Sequence, residues 1–164
     1  MIRPATVTDA HAISVVYNHF ILNTTVTFEE TAISPGDMAQ RIEAHAGRLP
    51  FLVAEIDNAV AGYAYAAPWK TRSAYRHSVE SSIYVASEFT GMGLGSRLYQ
   101  ALLQDLRKQG VHAVLAGIAL PNKASIGLHE AFGFSKVGQM REVGRKFDQW
   151  IDVGYWQLIL TQQG

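Results

Sequence analysis

The 164-residue sequence contains no cysteine, so disulfide bonds, thiolate metal ligands and a cysteine nucleophile are excluded. Acidic and basic residues are equal in number, at 14 each, and the formal net charge is zero. A neutral chain lacks the overall positive field that draws proteins to nucleic acid or to anionic membrane surfaces. No stretch approaches the ~20 apolar residues of a membrane-spanning helix, and the N-terminus lacks the apolar run of a signal peptide. We therefore expect a cytoplasmic protein with neither nucleic acid nor membrane as a partner.

Linkers, internal repeats and metal-ligand patterns are missing as well. Without a linker or a repeat, the chain is expected to form one domain, 1–164, and its 48% apolar residues supply the core. The six histidines do not have the spacing of a zinc site, and no carboxylate cluster suggests calcium or magnesium. The sequence therefore predicts no metal cofactor.

Apolar residues at helical spacing predict four helices. The first covers about residues 9–21, with Thr8 as its N-cap. Ser34-Pro35 has the cap-then-proline pattern of a second helix, which continues to about Ala46. A third helix follows a glycine-rich segment and ends at Gln109 and Gly110, and a fourth runs from Asn122 to about Gly133.

Short runs rich in β-branched and aromatic residues predict seven strands between and after these helices. They cover about residues 2–6, 51–56, 60–66, 78–85, 111–119, 134–142 and 150–160, and Asp57-Asn58 marks a tight turn between the second and third. The order β-α-α-β-β-β-α-β-α-β-β predicts an α/β domain with a mixed central sheet flanked by helices.

The glycine-rich segment joins a predicted strand to a predicted helix and contains Gly91, Gly93 and Gly95. Glycine permits positive φ and close approach of a ligand, and the free amides of a helix N-terminus bind phosphate oxygens. A dinucleotide site is disfavoured, because Ser96 replaces the third glycine and the next strand has no acidic residue. A Walker loop is excluded, because no Gly-Lys-Ser/Thr follows. Two hypotheses remain, a turn needed only for packing and a loop that binds the pyrophosphate of coenzyme A.

Seven stretches together resemble the GNAT superfamily of N-acetyltransferases, and most closely its phosphinothricin and methionine sulfoximine or sulfone acetyltransferase branch. They are NTTVTF (23–28), PWK (68–70), ESSIYV (80–85), GLGS (93–96), LPN (120–122), LHEA (128–131) and WIDVGYWQL (150–158). Each string alone is weakly specific, whereas their order and spacing, which cover about residues 2–160, are specific. The resemblance implies the GNAT fold and acetyl-CoA as co-substrate.

The resemblance also implies which residues bind the cofactor. The pyrophosphate loop comprises Gly91, Met92, Gly93, Leu94, Gly95 and Ser96, the backbone of Ile83, Tyr84 and Val85 pairs with the pantetheine arm, and Asn122 and Ser125 contact that arm. Asn122 has a second interpretation, as a simple helix N-cap. The loop departs from the family pattern, because Thr90 and Gly91 stand where basic or amide side chains are common. Binding of the phosphates is therefore expected to depend on backbone amides.

Two residues are predicted to carry the proton transfers of an acetyl transfer to an amine. The resemblance implies that Glu80 is the general base, and the alternative is an ion pair with Arg72 or Arg76. His129 occupies a position where much of the superfamily has tyrosine, and histidine there is similar to the phosphinothricin branch. It is a candidate acid for the departing thiolate, and the alternative is a structural histidine.

The acceptor end is predicted from the loop that contains Thr27 and Phe28 and from a basic segment with Lys70, Arg72 and Arg76. Arginine binds a carboxylate or phosphinate through two parallel hydrogen bonds, and the alternative is a solvated basic loop. The resemblance implies a homodimer whose partner chain completes the site.

Taken together, these features predict an acetyl-CoA-dependent N-acetyltransferase for the amino group of a small amino-acid-like substrate of the phosphinothricin, methionine sulfoximine or methionine sulfone type. One alternative is a GNAT enzyme for a protein N-terminus, a lysine or another amine, although the basic loop disfavours polycationic acceptors. The other alternative is a non-catalytic sensor that binds acyl-CoA.

Overall fold

The computed structural model describes residues 1–161 and contains a seven-stranded sheet with helices on both faces. The strands are β1 (Ile2–Pro4), β2 (Phe51–Ile56), β3 (Ala59–Pro68), β4 (Ser78–Val85), β5 (Ala113–Ala119), β6 (Ser135–Lys146) and β7 (Gln149–Ile159). The helices are α1 (Ala10–Asn23), α2 (Pro35–His45), α3 (Leu94–Lys108) and α4 (Lys123–Ala131). The predicted element order and the α/β class are confirmed. Residues 162–164, which the single-domain prediction includes, lie outside the described residues.

The sheet has the strand order β1-β2-β3-β4-β5-β7-β6. Neighbouring strands are antiparallel except for β4 and β5, which are parallel and lie at the centre. A parallel pair needs a crossover connection, and α3 provides it. The helix that follows the glycine loop packs against β2, β3 and β4.

Side chains of β4 alternate between the two faces of the sheet, as the period of a strand requires. Val79, Ile83 and Val85 pack in the core formed with α3, whereas Tyr84 packs in the core formed with α1 and α2. Glu80 lies an even number of positions before Tyr84, so its side chain lies on the same face of the sheet as that of Tyr84. This alternation decides which residues of the segment 80–85 lie on each side of the sheet.

Two tight turns bear on the strand predictions. Asp57 and Asn58 both have positive φ, at 49° and 62°, so the predicted two-residue hairpin turn is confirmed. Phe147 and Asp148 form an equivalent turn, with φ of 51° and 58°, that the sequence did not predict. The predicted end of the sixth strand at residue 142 is consequently wrong, because β6 continues to Lys146 and turns directly into β7.

The predicted N-cap of the first helix, Thr8, is also wrong. Thr8 lies inside a short 3-10 turn, Val7–Asp9, and Asp9 precedes α1. The buried Asp9 carboxylate accepts the backbone N–H of Thr6 at 2.8 Å and two hydrogen bonds from Arg3 at 2.8 and 2.9 Å. Thr6 is therefore the N-cap of the 3-10 turn, and its contact with Asp9, three residues later, is the local capping pattern at which the chain enters the helix.

Candidate active site

A cleft opens between the two parallel strands. β4 and β5 pair only at Ser78–Ala113, Val79–Val114 and Glu80–Leu115, and beyond these pairs they diverge. The two central strands therefore splay apart. The cleft is lined by Ser81–Tyr84 of β4, Ala116–Ala119 of β5, and Asn122, Ser125 and His129 at the start of α4 and along it.

Ser81 marks the point at which the strands separate. Its hydroxyl shares a hydrogen bond of 2.5 Å with the hydroxyl of Tyr99 on α3 and lies 3.4 Å from the carbonyl oxygen of Leu115 on β5. Both hydroxyls are buried, so each satisfies the other in a region without water. Beyond Ser81, the edge of β4 that faces β5 is free to pair with an extended ligand.

The glycine loop lies at the end of the cleft where β4 finishes. Gly91 and Gly93 have φ of 77° and 70°, in the left-handed region that favours glycine. Gly93 is the N-cap of α3 and supplies no capping side chain, so the first amides of the helix are available to an anion. Gly91, Met92, Gly93 and Ser96 are exposed. This geometry suits a phosphate group and supports the loop's predicted role over a packing turn.

A second cavity, the acceptor cavity, lies on the α1 face of the sheet and has a volume of about 330 Å³. The loop between α1 and α2 contributes Val26, Thr27 and Phe28 to the wall of this cavity. Its other lining residues are Glu80, Ser82, Tyr84, Gly117, Ala119, Val143, Val153 and Tyr155. Val26, Ser82, Tyr84, Gly117 and Ala119 line the cleft as well, so the two spaces meet where the strands part.

Glu80 is half-buried in the acceptor cavity, and its carboxylate lies over Gly117 of β5. A Cβ atom at Gly117 would come within 3.2 Å of Oε1, so the glycine provides the room for the carboxylate. No salt bridge involves Glu80 within residues 1–161, so the alternative of an ion pair with Arg72 or Arg76 is not observed there. Burial raises the pKa of Glu80, and the charge of Lys70 partly opposes that rise. A carboxylate with a raised pKa is a better proton acceptor.

His129 lies on α4 beside the cleft, and it is buried, with 3% of its surface exposed. Its Nδ1–H donates to the carbonyl oxygen of Ser125 at 2.7 Å, and its ring meets Tyr99 edge to face at 4.9 Å. Burial lowers the pKa of His129, although the bond to Ser125 opposes the change. The imidazole is therefore neutral at neutral pH, with Nε2 as the unprotonated nitrogen.

We expect His129 to titrate below its ordinary value of 6.5 and to keep its proton on Nδ1. Because the folded protein binds this proton more weakly than the unfolded chain, the group stabilises the fold above pH 6.5, and that stability is lost as the pH falls through the folded pKa. Two-bond ¹H–¹⁵N NMR spectra across a pH series measure both properties, with His129→Gln to assign the signal. A proton on Nε2, or a pKa above 6.5, would contradict this expectation.

The prediction of Asn122 as a helix N-cap is confirmed, and its contact with the pantetheine arm stays a prediction. Its Oδ1 accepts the backbone N–H of Ser125 at 3.1 Å, which makes it the N-cap of α4, and its side chain also lines the cleft. Since Oδ1 is engaged in the cap, the amide NH₂ is the group left for a ligand. Ser125, one turn along α4, lines the same cleft.

The loop over the acceptor cavity is held by polar contacts. The Thr27 hydroxyl is 2.9 Å from the Tyr17 hydroxyl, and Lys146 Nζ donates to the Thr27 carbonyl oxygen at 2.8 Å. Tyr17 also donates to Glu29, which forms a salt bridge of 2.6 Å with Arg41. Burial raises the pKa of Tyr17 to about 12, so it remains a neutral donor. Thr27 therefore anchors the loop, while Phe28, 39% exposed, forms the cavity wall.

The predicted basic segment lies beside the cavity rather than in its lining. Lys70, Arg72 and Arg76 are exposed, and none of the three is a lining residue of the acceptor cavity. Lys70 lies over the Trp69 ring at 4.7 Å, and Trp69 packs edge to face on Tyr155, a lining residue, at 5.7 Å.

Several lining or supporting residues were not predicted as site residues, among them Tyr17, Val143, Lys146 and Tyr155. These four lie on α1, β6 and β7, distant from Glu80 along the chain, and of them only Tyr155 lies in a string that carries the resemblance. Within residues 1–161, no three His, Asp or Glu side chains are grouped as metal ligands.

The chain is similar to known acetyltransferases. A family model described as an acetyltransferase (GNAT) domain matches residues 2–154. The phosphinothricin N-acetyltransferase of Streptomyces viridochromogenes is 45% identical over 95% of this chain and 85% of that protein. The L-methionine sulfoximine/L-methionine sulfone acetyltransferase of Pseudomonas aeruginosa is 42% identical over 97% of this chain and 94% of that protein. A crystallised acetyltransferase of Salmonella typhimurium, solved with its cofactor acetyl-CoA, has a TM-score of 0.96 and 36% identity, over 100% of this chain and 95% of that chain.

Proposed function

The chain belongs to the GNAT family of acetyltransferases, and from this premise we propose that it transfers the acetyl group of acetyl-CoA to the α-amino group of a small amino-acid-like acceptor. The observation that carries the proposal is the meeting of two spaces at the strand divergence. The cofactor cleft and the acceptor cavity share five lining residues, and Glu80 faces the shared region from the acceptor side. A thioester in the cleft and an amine in the cavity would therefore be held next to each other.

The residues of the cleft fit acetyl-CoA. The left-handed glycines and the uncapped N-terminus of the 15-residue helix α3 would hold the pyrophosphate through Gly91, Met92, Gly93, Leu94, Gly95 and Ser96. The free edge of β4 at Ile83–Val85 would pair with the pantetheine arm, and Asn122 and Ser125 would contact it from α4. When bound, acetyl-CoA supplies the activated acetyl group. The backbone N–H of Val85 is the proposed donor to the acetyl oxygen.

Glu80 is the proposed general base. The acceptor arrives as an ammonium ion, and it must lose one proton before its nitrogen can attack. Burial makes the Glu80 carboxylate more basic than an exposed one, and it has no ion-pair partner within residues 1–161 to compete for its charge. The meeting of the acceptor cavity and the cleft supports this role. Glu80 would take the proton either directly or through one water.

His129 is the proposed source of the proton for the departing thiolate. Its Nδ1–H is committed to Ser125, so Nε2 must first gain a proton. After attack, the nitrogen carries a second proton that must leave, and Nε2 is a neutral acceptor. Transfer of that proton to Nε2 and then to sulfur yields the amide and the thiol, and it leaves both side chains as they began, once Glu80 returns its proton to water. Glu80 and His129 would act from opposite faces of the sheet.

The proposed acceptors carry an α-amino group and an acidic or strongly polar side chain, as phosphinothricin, methionine sulfoximine and methionine sulfone do. Two of the relatives are named for these compounds. A cavity of about 330 Å³ has room for a small molecule. Thr27 and Phe28 are the proposed wall, and the exposed Lys70, Arg72 and Arg76 would attract the acceptor's anionic groups.

A thiol-release assay with acetyl-CoA and a panel of amines tests this proposal. We expect turnover on phosphinothricin, methionine sulfoximine or methionine sulfone, and none on spermidine or a lysine peptide. Turnover on the peptide alone would contradict the small-acceptor proposal. Binding of acetyl-CoA without turnover on any amine would favour a sensor.

The proposal extends to a cytoplasmic homodimer. The β6–β7 hairpin is the edge of the sheet and exposes Val137, Met140, Phe147 and Trp150, each at least half exposed. Exposed apolar side chains on an edge hairpin favour association with a second copy, and sedimentation equilibrium would measure it.

None of the helices within residues 1–161 is long and apolar enough to cross a membrane. The cytoplasmic location is proposed because the sequence contains no cysteine and so cannot carry the disulfide bonds common in secreted proteins.

A further inference from the structure

Strand β6 departs from regular pairing with β7 next to the acceptor cavity. Met140 pairs with Val153 and Gly144 pairs with Ile151, so residues 141–143 of β6 face the single β7 residue Asp152. We name this segment the 141–143 bulge. Glu142, in its middle, has φ of 49°, in the left-handed region that non-glycine residues rarely adopt. Such a conformation persists only where its surroundings hold it.

Asp152 supplies the contacts that hold the bulge. Its Oδ1 accepts the backbone N–H of Glu142 at 2.8 Å, and its Oδ2 accepts the side-chain amide of Gln139 at 2.8 Å. The first bond satisfies an amide that the bulge has removed from the β ladder. These two bonds hold the pKa of Asp152 below its usual value, so the carboxylate stays charged at neutral pH.

The bulge places Val143 in the wall of the acceptor cavity, where the loop residue Phe28 also lies. Strand β6 and the loop that contains Phe28 are in contact immediately after the bulge. The Phe28 ring lies so close to Gly144 that any side chain at that position would overlap the ring. Two residues further, Lys146 donates to the carbonyl oxygen of Thr27. The bulge and the loop therefore form one connected structure around the cavity.

The position of Val143 indicates which part of the acceptor it meets. Glu80 extends from the central strand β4 at the floor of the cavity, where the amine must reach the acetyl group. Val143 is 59% exposed, so it stands at the mouth. An acceptor with its amine at Glu80 would direct its side chain toward Val143 and Phe28.

We propose that Asp152 is a positioning residue for acceptor selectivity: by holding the 141–143 bulge, it sets the place of Val143 beside Phe28 and so limits the length of the acceptor side chain. The inference rests on the proposed function, since it concerns the same cavity. Asp152 itself lines neither the cavity nor the cleft and has no role in the proton transfers.

The test compares Asp152→Ala with Asp152→Asn in steady-state kinetics. The acceptors are methionine sulfone and a straight-chain series, L-alanine, L-norvaline and L-norleucine. We expect Asp152→Ala to change the ratio of kcat/KM between the preferred and least preferred acceptor by roughly tenfold, since one methylene in a fitted pocket is worth about that much. The change should appear in the acceptor KM, with kcat and the KM for acetyl-CoA nearly unchanged. Asp152→Asn should restore selectivity, because its amide oxygen still accepts the Glu142 N–H.

Two further measurements separate this inference from a loss of folding. Circular dichroism melting of each variant checks the fold, and hydrogen exchange should show faster exchange of the Glu142 amide in Asp152→Ala alone. Val143→Ala, which leaves the Asp152 contacts intact, should relax the limit on side-chain length by a similar factor. A folded Asp152→Ala with wild-type selectivity would overturn the inference and leave the acetyltransferase proposal standing. A wild-type protein that acetylates none of the acceptors would overturn both.

Discussion

Glu80→Gln should lower kcat by about a hundredfold to ten-thousandfold, the range that a positioned general base contributes. Glutamine keeps the shape of the side chain in the space over Gly117 but cannot accept a proton at neutral pH. In the wild type, kcat/KM should rise with pH as Glu80 loses its proton, with a midpoint above the ordinary value of 4.5 because burial raises the pKa. This acid limb should be absent from the residual activity of the variant.

The measurement is a pH profile of thiol release, with acetyl-CoA affinity determined separately by calorimetry. Affinity for acetyl-CoA should not change, because Glu80 lines the acceptor cavity and not the cleft. Glu43→Gln on α2, an exposed position, is the matched control and should keep full activity. Full activity of Glu80→Gln would show that another group removes the proton.

The same substitution has a consequence for stability. The folded protein holds the Glu80 proton more tightly than the unfolded chain does, so the contribution of Glu80 is fully present below pH 4.5 and is lost as the pH rises through the folded pKa. Because glutamine does not titrate, Glu80→Gln removes this loss of stability at higher pH. We therefore expect the variant to be at least as stable as the wild type at neutral pH, so its inactivity would not reflect unfolding.

Ser125→Phe should weaken acetyl-CoA binding by at least about a hundredfold, which corresponds to about 2.7 kcal/mol. Ser125 lines the cleft from α4 close to His129, and a phenyl ring there would occupy the space assigned to the pantetheine arm. The expected loss is steric, so Ser125→Val should cause a smaller loss of the same kind.

Isothermal titration with coenzyme A measures this effect without requiring an acceptor. The neighbouring Ala124 is exposed on the same helix, and Ala124→Phe should bind coenzyme A as the wild type does. Equal affinity of Ser125→Phe and the wild type would place the cofactor outside the cleft. Melting curves of the three variants should show that the helix is retained in each.

Much of the fold could be predicted because it follows from local chemistry. The Asp57-Asn58 pair tolerates positive φ, and it forms the expected hairpin turn. Gly110 has φ of 76° and follows α3 as a left-handed terminus. The prediction of Thr8 as the N-cap was wrong, because Thr6 and Asp9, three residues apart, form the capping contact instead, and Arg3 pairs with the same carboxylate.

The candidate site could likewise be predicted only in part. Glu80, the glycine loop and Asn122 each lie in a short string with its own chemical signature. The structure brings Glu80 and Asn122 to the two spaces that meet at the strand divergence, and the glycine loop follows the end of β4. Lys70, Arg72 and Arg76 also formed a recognisable basic segment, but side-chain direction in a loop depends on packing. Here Trp69 packs against Tyr155, and the three cations remain outside the lining of the cavity.

By itself, the sequence determined the order of the elements, the glycine loop ahead of α3 and the identity of the residues able to move protons. These properties depend on periodicity, on glycine's access to positive φ and on side-chain pKa values, all of which act over a few residues. Only the tertiary structure decided that the cavity lined by Glu80 meets the cleft lined by His129, and that Val143 and Lys146 reach a loop more than a hundred residues earlier in the chain. The physical reason is that strand pairing and burial join distant segments, and they set both the pKa values and the shape of the cavity that those segments enclose.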